Sequence, residues 1–158
     1  MTRRVLVTRP QPGADETARR LVAHGFEPII LPLTRIVALS PGDLGDLSRF
    51  DAVTLTSVNA VRHMPPELVA ALRTTPVFAV GDVSARAARA AGFATVHAAA
   101  GTAADLAPLM ASKLVPGSRV LHLAAVERTA GFFEDLAASG IVLEVIEIYR
   151  ADRLDYSG

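Results

Sequence analysis

Short apolar runs recur along this chain, and stretches with helical spacing separate them. The runs consist mainly of Val, Leu, Ile and Ala, as in Val77–Val80 and Val142–Ile148. Strands that are buried on both faces are apolar at every position, because neither face is left to polar side chains. Such strands alternating with helices form parallel sheets that are covered on both sides. The sequence therefore predicts an α/β fold with doubly wound parallel sheets.

The alternation can be followed through most of the chain. The predicted strands are Val5–Thr8, Glu27–Leu31, Ala52–Thr56, Val77–Val80, Ala94–His97, Arg119–Leu123 and Val142–Ile148. The predicted helices are Ala14–His24, Val58–Met64, Pro66–Arg73, Val83–Ala91, Ala103–Lys113 and Ala130–Ala138. Three helices end on a glycine and a hydrophobic residue, at Gly25-Phe26, Gly92-Phe93 and Gly140-Ile141. This order is typical of the Schellman ending.

Two stretches interrupt the pattern and are candidates for crossings between two lobes. The first is Pro32–Gly42, which is less regular than its surroundings, and the second is Tyr149–Asp152, after the last strong strand. We therefore predict that residues 35–148 form a second lobe. It is inserted into a first lobe made of residues 1–34, with 149–158 as its returning stub.

Composition narrows the classes of function. Lys plus Arg and Asp plus Glu number 16 each, so no overall charge draws the chain to nucleic acid or to an anionic membrane. Cysteine is absent, which excludes disulfides, thiolate catalysis and Cys-ligated zinc and fits a reducing compartment. No apolar stretch approaches the length of a membrane span. We expect a cytoplasmic protein without a nucleic-acid or membrane partner.

The loops that follow strands are the places to look for chemistry, because ligands of open parallel sheets bind beyond the carboxyl ends of the strands. These loops are rich in hydroxyl groups and comprise Thr8–Pro10, Thr56–Val61, Gly81–Ser84, Ala99–Thr102 and Ala125–Thr129. Helix starts bind carboxylate or phosphate through free N–H groups and the helix dipole. Several such starts together would hold a polyanion although the chain is neutral.

Helix capping is the structural alternative for the same side chains. Thr102 and Asp105 have the spacing of a capping box, and capping is an ordinary role for Ser57 and Ser84 as well. Glu127 and Arg128 form the one tight acid–base pair in a post-strand loop, and a solvated pair is favoured over a catalytic one.

Several common site types have no matching motif. There is no phosphate-binding loop, no G-x-G-x-x-G after a strand and no G-x-S-x-G elbow, which argues against nucleotide-dependent enzymes and serine hydrolases. His24, His63, His97 and His122 lack the spacing of metal ligands, so we favour structural roles for all four.

Six segments share their order and spacing with one known family. They are Val5–Pro10, Gly25–Glu27 leading to Leu31–Leu33, Thr56–Val61, Ala79–Ala85, Gly117–Leu121, and Gly140 with a strand that ends at Ile148–Arg150. Taken together they resemble uroporphyrinogen-III synthase, and the resemblance covers the chain from Val5 to about Arg150. The order of these segments is specific, whereas each one alone is a weak signal.

The resemblance implies two lobes of doubly wound α/β type joined by two crossings, with the first lobe incomplete in this chain. It implies a lyase that cyclises hydroxymethylbilane with inversion of ring D, giving uroporphyrinogen III and water in tetrapyrrole (haem, sirohaem or cobalamin) biosynthesis. Such an enzyme needs no cofactor or metal. Its partner is the small-molecule substrate, and we expect a monomer.

The resemblance also implies roles for individual residues. Tyr149 matches the family's tyrosine near the second crossing, a proposed proton donor to the leaving hydroxyl, and packing at the crossing is the alternative. Ser84 stands where the family usually has Thr. The substrate-binding residues would be Thr8, Arg9, Ser57, Asn59, Gly81, Ser84 and Arg128.

Two other functions stay open from the sequence. One is a non-catalytic α/β module that binds an anion at its helix starts, or an inactive, truncated member of the family. A receiver-like module would need an acidic cluster after the first strand, and the loop after Val5–Thr8 has none. The other is a nucleotide-dependent enzyme of the same fold, which would need the missing glycine-rich fingerprint.

Overall fold

The computed structural model describes residues 2–128 and 131–156. Within them the strands are β1 (Arg4–Val7), β2 (Glu27–Ile30), β3 (Thr34–Ala38), β4 (Ala52–Leu55), β5 (Val77–Val80), β6 (Val96–Ala99), β7 (Arg119–Ala125) and β8 (Val142–Arg153). The α-helices are α1 (Gly13–Ala23), α2 (Val58–Arg62), α3 (Pro66–Leu72), α4 (Gly81–Ala90), α5 (Ala103–Ala111) and α6 (Gly131–Ala138). A 3₁₀ turn spans Leu47–Arg49. Thr129 and Ala130, to which the sequence assigns a loop and a helix start, lie outside the described residues.

The chain divides into two compact units, Met1–Val37 with Ala151–Gly158 and Ala38–Arg150. In the first unit β1 and β2 pair in parallel, with Leu6 opposite Ile29. Helix α1 contacts both strands, and Val7 is buried in this unit together with Ala14 and Ala18 of α1. Leu6 and Ile29 point away from the face that carries Val7, and in the described part of the chain they are 54% and 43% exposed.

A six-stranded sheet has the order β3-β8-β7-β4-β5-β6. From β8 to β6 every neighbouring pair is parallel. One face carries a cluster that includes Ala52, Phe78 and Val120 and packs against Leu106 of α5 and Leu136 of α6. The alternating residues of β4, β5 and β7, which point to the other face, are buried as well. This confirms the predicted doubly wound α/β fold.

The first predicted crossing contains a strand that the sequence analysis missed. Strand β3 (Thr34–Ala38) is an edge strand beside β8. Leu154 N–H donates to the Leu33 carbonyl and Leu39 N–H to the Ile148 carbonyl, each at 2.9 Å. From Leu33 to Leu39 the residue number rises, while that of the partner falls from Leu154 to Ile148. Strand β3 is therefore antiparallel to β8. The sheet is therefore parallel except at this edge, and Tyr149–Asp152, predicted as the second crossing, continues β8.

The three predicted Schellman endings are confirmed. At the end of α1, Phe26 N–H donates to the Leu21 carbonyl and Gly25 N–H donates to the Val22 carbonyl, both at 3.0 Å. The corresponding pairs of bonds close α4 and α6. Gly25 has a φ of 80°, a left-handed conformation that side-chain-bearing residues rarely adopt. These glycines therefore end helices and return the chain to the sheet.

None of the helices in the described part of the chain is both long and apolar enough to cross a bilayer.

Candidate functional site

The register of the sheet aligns several predicted residues at the carboxyl ends of its strands. Leu55 pairs with Ala79 and Thr54 pairs with His122. Ser57 follows the end of β4, Gly81 follows the end of β5, and Ala125 is the last residue of β7. Ala125 itself pairs with Tyr149. Gly81, Ser57, Ala125 and Tyr149 therefore form a row along one edge of the sheet, in the order of β5, β4, β7 and β8.

Ser57 begins α2 and caps it. Its backbone is extended, and Asn59 N–H donates to its Oγ at 3.2 Å. Both side chains are partly exposed. The capping interpretation of Ser57 is therefore confirmed, and its proposed contact with substrate stays a prediction.

Gly81 and Ser84 lie at the start of α4. Gly81, the first residue of this helix, has a φ of 71°, in the region that favours glycine. The N-cap is Val80, and Ser84 lies within the helix with only 5% of its surface exposed. The capping interpretation of Ser84 is therefore wrong, because the helix begins two residues before the predicted Val83.

Tyr149 owes its orientation to an irregularity in β8. Along β7, Ala124 pairs with Glu147 but Ala125 pairs with Tyr149, so Ile148 is an extra residue. Such a bulge re-aims the side chains that follow it. It places Tyr149 on the face of the sheet that the side chains of Leu123 and Leu121 occupy, where a regular strand would place Ile148. The Tyr149 side chain is buried, at 7% exposure.

His63 lies against the ring of Tyr149. It is the C-cap of α2, and the two ring centroids are 6.1 Å apart with the planes tilted by 33°. Burial, with help from the positive charge of Arg62, lowers the pKa of His63. The sequence predicts a structural role for His63 but does not predict this contact. Residues 63 and 149 are distant in the sequence, and the β-bulge sets the face of the sheet on which their rings meet.

The side chain of Arg128 contacts its own loop and a glutamate of β8. Its Nη1 donates to the carbonyls of Ala125 and Val126 and forms an ion pair with Glu147 at 2.6 Å. Glu147 is the residue just before the bulge. A substrate carboxylate that binds Arg128 would have to compete with this pair, so the role of Arg128 in binding stays a prediction.

Thr8 and Arg9 belong to the first unit and are described within it. Both are exposed after β1. The Nη1 of Arg9 donates to Thr17 Oγ1 at 3.2 Å, and a Cβ on Gly13 would lie only 2.7 Å from Arg9 Nε. The guanidinium therefore rests on the first turn of α1 over Gly13, where a larger side chain would make it shift. The role of both residues in binding stays a prediction.

The remaining histidines are held inside the fold or at a helix end. The His97 ring packs on Phe78 with centroids 5.0 Å apart, and His24 is the C-cap of α1. Burial lowers the pKa of His122 to about 4. Among residues 2–128 and 131–156, no group of three His, Asp or Glu side chains is arranged to hold a metal.

A shallow groove of about 630 Å³ lies elsewhere on the second unit. Its lining includes Met64, Val69 and Arg73 at α3 and Ala91 and Gly92 after α4. None of the predicted site residues lines it.

Two comparisons of sequence identify relatives of this chain. A family model described as "Uroporphyrinogen-III synthase HemD" matches residues 15–157. A uroporphyrinogen-III synthase from Chlorobaculum parvum is 31% identical over 87 residues, which cover 51% of this chain and 35% of that protein.

Solved structures share the fold. Uroporphyrinogen-III synthetase from Helicobacter pylori 26695 aligns with a TM-score of 0.65 at 20% identity, over 99% of this chain and 65% of that one. A mutant uroporphyrinogen III synthase from Thermus thermophilus aligns with a TM-score of 0.62 at 20% identity, over 98% of this chain and 64% of that one. The present chain thus spans less than two thirds of either. At this identity the structures show the fold alone, whereas the family model matches most of the chain, which therefore belongs to the uroporphyrinogen-III synthase family.

Proposed function

We propose that this chain catalyses the closure of hydroxymethylbilane to uroporphyrinogen III, with inversion of ring D and release of water. The observation that carries the proposal is the match of the family model to residues 15–157. The row of Ser57, Gly81 and Tyr149 at one edge of the sheet supports it, because this is the edge where parallel sheets bind ligands.

The proposed substrate is a polyanion, and the helix starts at this edge suit it. Free N–H groups and the positive end of the helix dipole attract carboxylates at the beginning of α4, where Gly81 and Ser84 lie. Ser57 and Asn59 add hydroxyl and amide groups at the start of α2. Arg128 would bind a substrate carboxylate in place of that of Glu147, and Thr8 and Arg9 complete the proposed set in the first unit.

Tyr149 is the proposed general acid. Its phenol would donate a proton to the terminal hydroxyl of hydroxymethylbilane as the C–O bond breaks, so that water leaves and a cationic azafulvene forms. The substituted carbon of the last pyrrole then attacks this cation, a spiro intermediate rearranges with ring D inverted, and the proton released as the last pyrrole regains aromaticity restores the Tyr149 phenol. General acid assistance of this kind contributes about 10²- to 10⁴-fold, and positioning contributes the rest.

The test is to incubate the chain with freshly generated hydroxymethylbilane, oxidise the products and separate the porphyrin isomers. Unaided closure gives the type I isomer, so the control without protein sets the baseline. We expect an excess of type III over that baseline. Type I alone from a protein whose circular dichroism shows it to be folded would contradict the proposal and favour the non-catalytic anion-binding alternative. Binding of hydroxymethylbilane measured by calorimetry would then decide whether the site still recognises it.

A further inference from the structure

We propose that His63 is a positioning residue for Tyr149: its imidazole ring holds the phenol in the orientation needed for proton donation. The inference deepens the proposed function, because it assumes Tyr149 as the proton donor. It begins with the contact between the two rings, whose centroids are 6.1 Å apart. This separation falls within the range of favourable aromatic pairs.

The β-bulge sets the face of the sheet from which Tyr149 projects, and His63 lies outside the sheet against that side chain. Because Ile148 is the extra residue in the pairing with β7, Tyr149 occupies a position that the regular ladder would give to Ile148. A side chain re-aimed in this way needs packing that fixes its rotamer. Within the described residues, His63 is the one residue whose ring packs against the ring of Tyr149.

The place of His63 in the fold makes it suitable for this role. It follows the last turn of α2, and its backbone N–H donates to the Asn59 carbonyl at 3.0 Å. Ser57 is the N-cap of the same helix, so α2 links a proposed substrate-binding residue to the residue that holds the proposed acid. Burial first, and then the charge of Arg62, lower the pKa of His63, a direction that favours the uncharged ring and suits packing on a phenol.

A double-mutant cycle tests whether His63 acts through Tyr149. We expect His63→Ala to lower kcat about tenfold with KM for hydroxymethylbilane nearly unchanged, because misplacing a reacting group affects the chemical step. His63→Phe, which keeps a flat ring, should restore most of the loss. In a Tyr149→Phe background, His63→Ala should have no further effect on kcat. Additive losses in the double variant would overturn the positioning role while leaving Tyr149 as the acid.

A second readout needs no substrate. The chain has no Trp and only two Tyr, so in a Tyr156→Phe background all of the tyrosine fluorescence comes from Tyr149. We expect His63→Ala to increase quenching by acrylamide several-fold, and His63→Phe to leave it near that of the parent. His97→Ala is the matched control, because it removes the ring contact with Phe78 instead; it should leave the quenching unchanged.

The two readouts separate this inference from the proposed function. If the parent chain forms no type III isomer, the proposed function fails, and quenching alone decides whether His63 holds the Tyr149 ring. If the parent is active but Tyr149→Phe retains full turnover, Tyr149 is not the acid and the positioning role is overturned with it. Unchanged quenching in His63→Ala overturns the inference in either case.

Discussion

His122 Nδ1 lies 3.2 Å from the carbonyl oxygen of Thr54, across the two central strands β7 and β4. The two residues are paired in the sheet, and both are buried, at 2% and 0% exposure. Burial is the main cause that lowers the pKa of His122 from 6.5 to about 4, and the charge of Arg128 acts in the same direction. The hydrogen bond to Thr54 opposes this shift only in part. His122 is therefore neutral in the folded protein at neutral pH, in the middle of the sheet.

The first prediction is that acid destabilises the fold through His122. Between pH 6.5 and about 4, His122 is protonated in the unfolded chain but neutral in the folded protein. The free energy of unfolding therefore rises with pH across this window. The contribution of His122 is complete above the window and is lost as the pH falls through it. The full loss is about 3 kcal/mol, of which about 2 kcal/mol is expected by pH 5. Urea unfolding at pH 7 and at pH 5 measures this difference.

Replacing His122 identifies the group responsible. His122→Leu should remove most of the difference between pH 7 and pH 5, whereas His24→Asn, at the exposed end of α1, should retain it. The lowered pKa values of His63 and His97 add smaller effects with the same sign, caused first by burial. Carboxylates ordinarily titrate below about pH 5 and contribute little in this range. An equally steep loss of stability in His122→Leu would assign it to another group.

The second prediction concerns the hydroxyl of Thr54. Its Oγ1 is buried and has no hydrogen-bond partner among the described residues, although a buried hydroxyl without a partner costs about 1–3 kcal/mol. Thr54→Val keeps the shape and removes that cost, so we expect the free energy of unfolding to rise by about 1 kcal/mol. Thr54→Ala should lower it, because it leaves a cavity. Denaturant midpoints of the three proteins check this order, and a less stable Thr54→Val protein would indicate that the hydroxyl has a partner.

Most of the fold could be predicted from the sequence because its strands are apolar on both faces and its helices end on glycine. Strand β3 could not, since Pro32 and Pro41 on either side of it resemble loop punctuation and edge strands are only partly buried. The sequence predicts the start of α4 two residues too late, because a glycine with positive φ begins this helix, whereas glycine usually marks a helix end. The hydroxyl-rich loops that follow the predicted strands allowed one edge of the sheet to be chosen from the sequence as the place of the candidate site. The contact of His63 with Tyr149 depends on a bulge, which no local spacing reveals.

The third prediction tests Tyr149 in catalysis. Tyr149→Phe should lower formation of the type III isomer without abolishing it, because folding the substrate does not depend on the proton donor. We expect a loss of about 10²-fold, at the lower end of general acid effects. Tyr156→Phe is the control, since this exposed tyrosine donates to the Pro32 carbonyl in the first unit. Full turnover in Tyr149→Phe would leave packing as the role of this side chain.

The last prediction separates capping from substrate binding at the two serines. Ser57 Oγ accepts from Asn59 N–H, so Ser57→Ala should cost about 1 kcal/mol of stability. Ser84 lies inside α4, where alanine is favoured over serine by a few tenths of a kcal/mol, so Ser84→Ala should fold at least as stably as the parent. If both hydroxyls contact hydroxymethylbilane, both variants should raise its KM by several-fold, and only Ser57→Ala should also lower the midpoint of thermal unfolding. An unchanged KM in Ser84→Ala would remove Ser84 from the proposed site, because in that variant no loss of stability could mask the result.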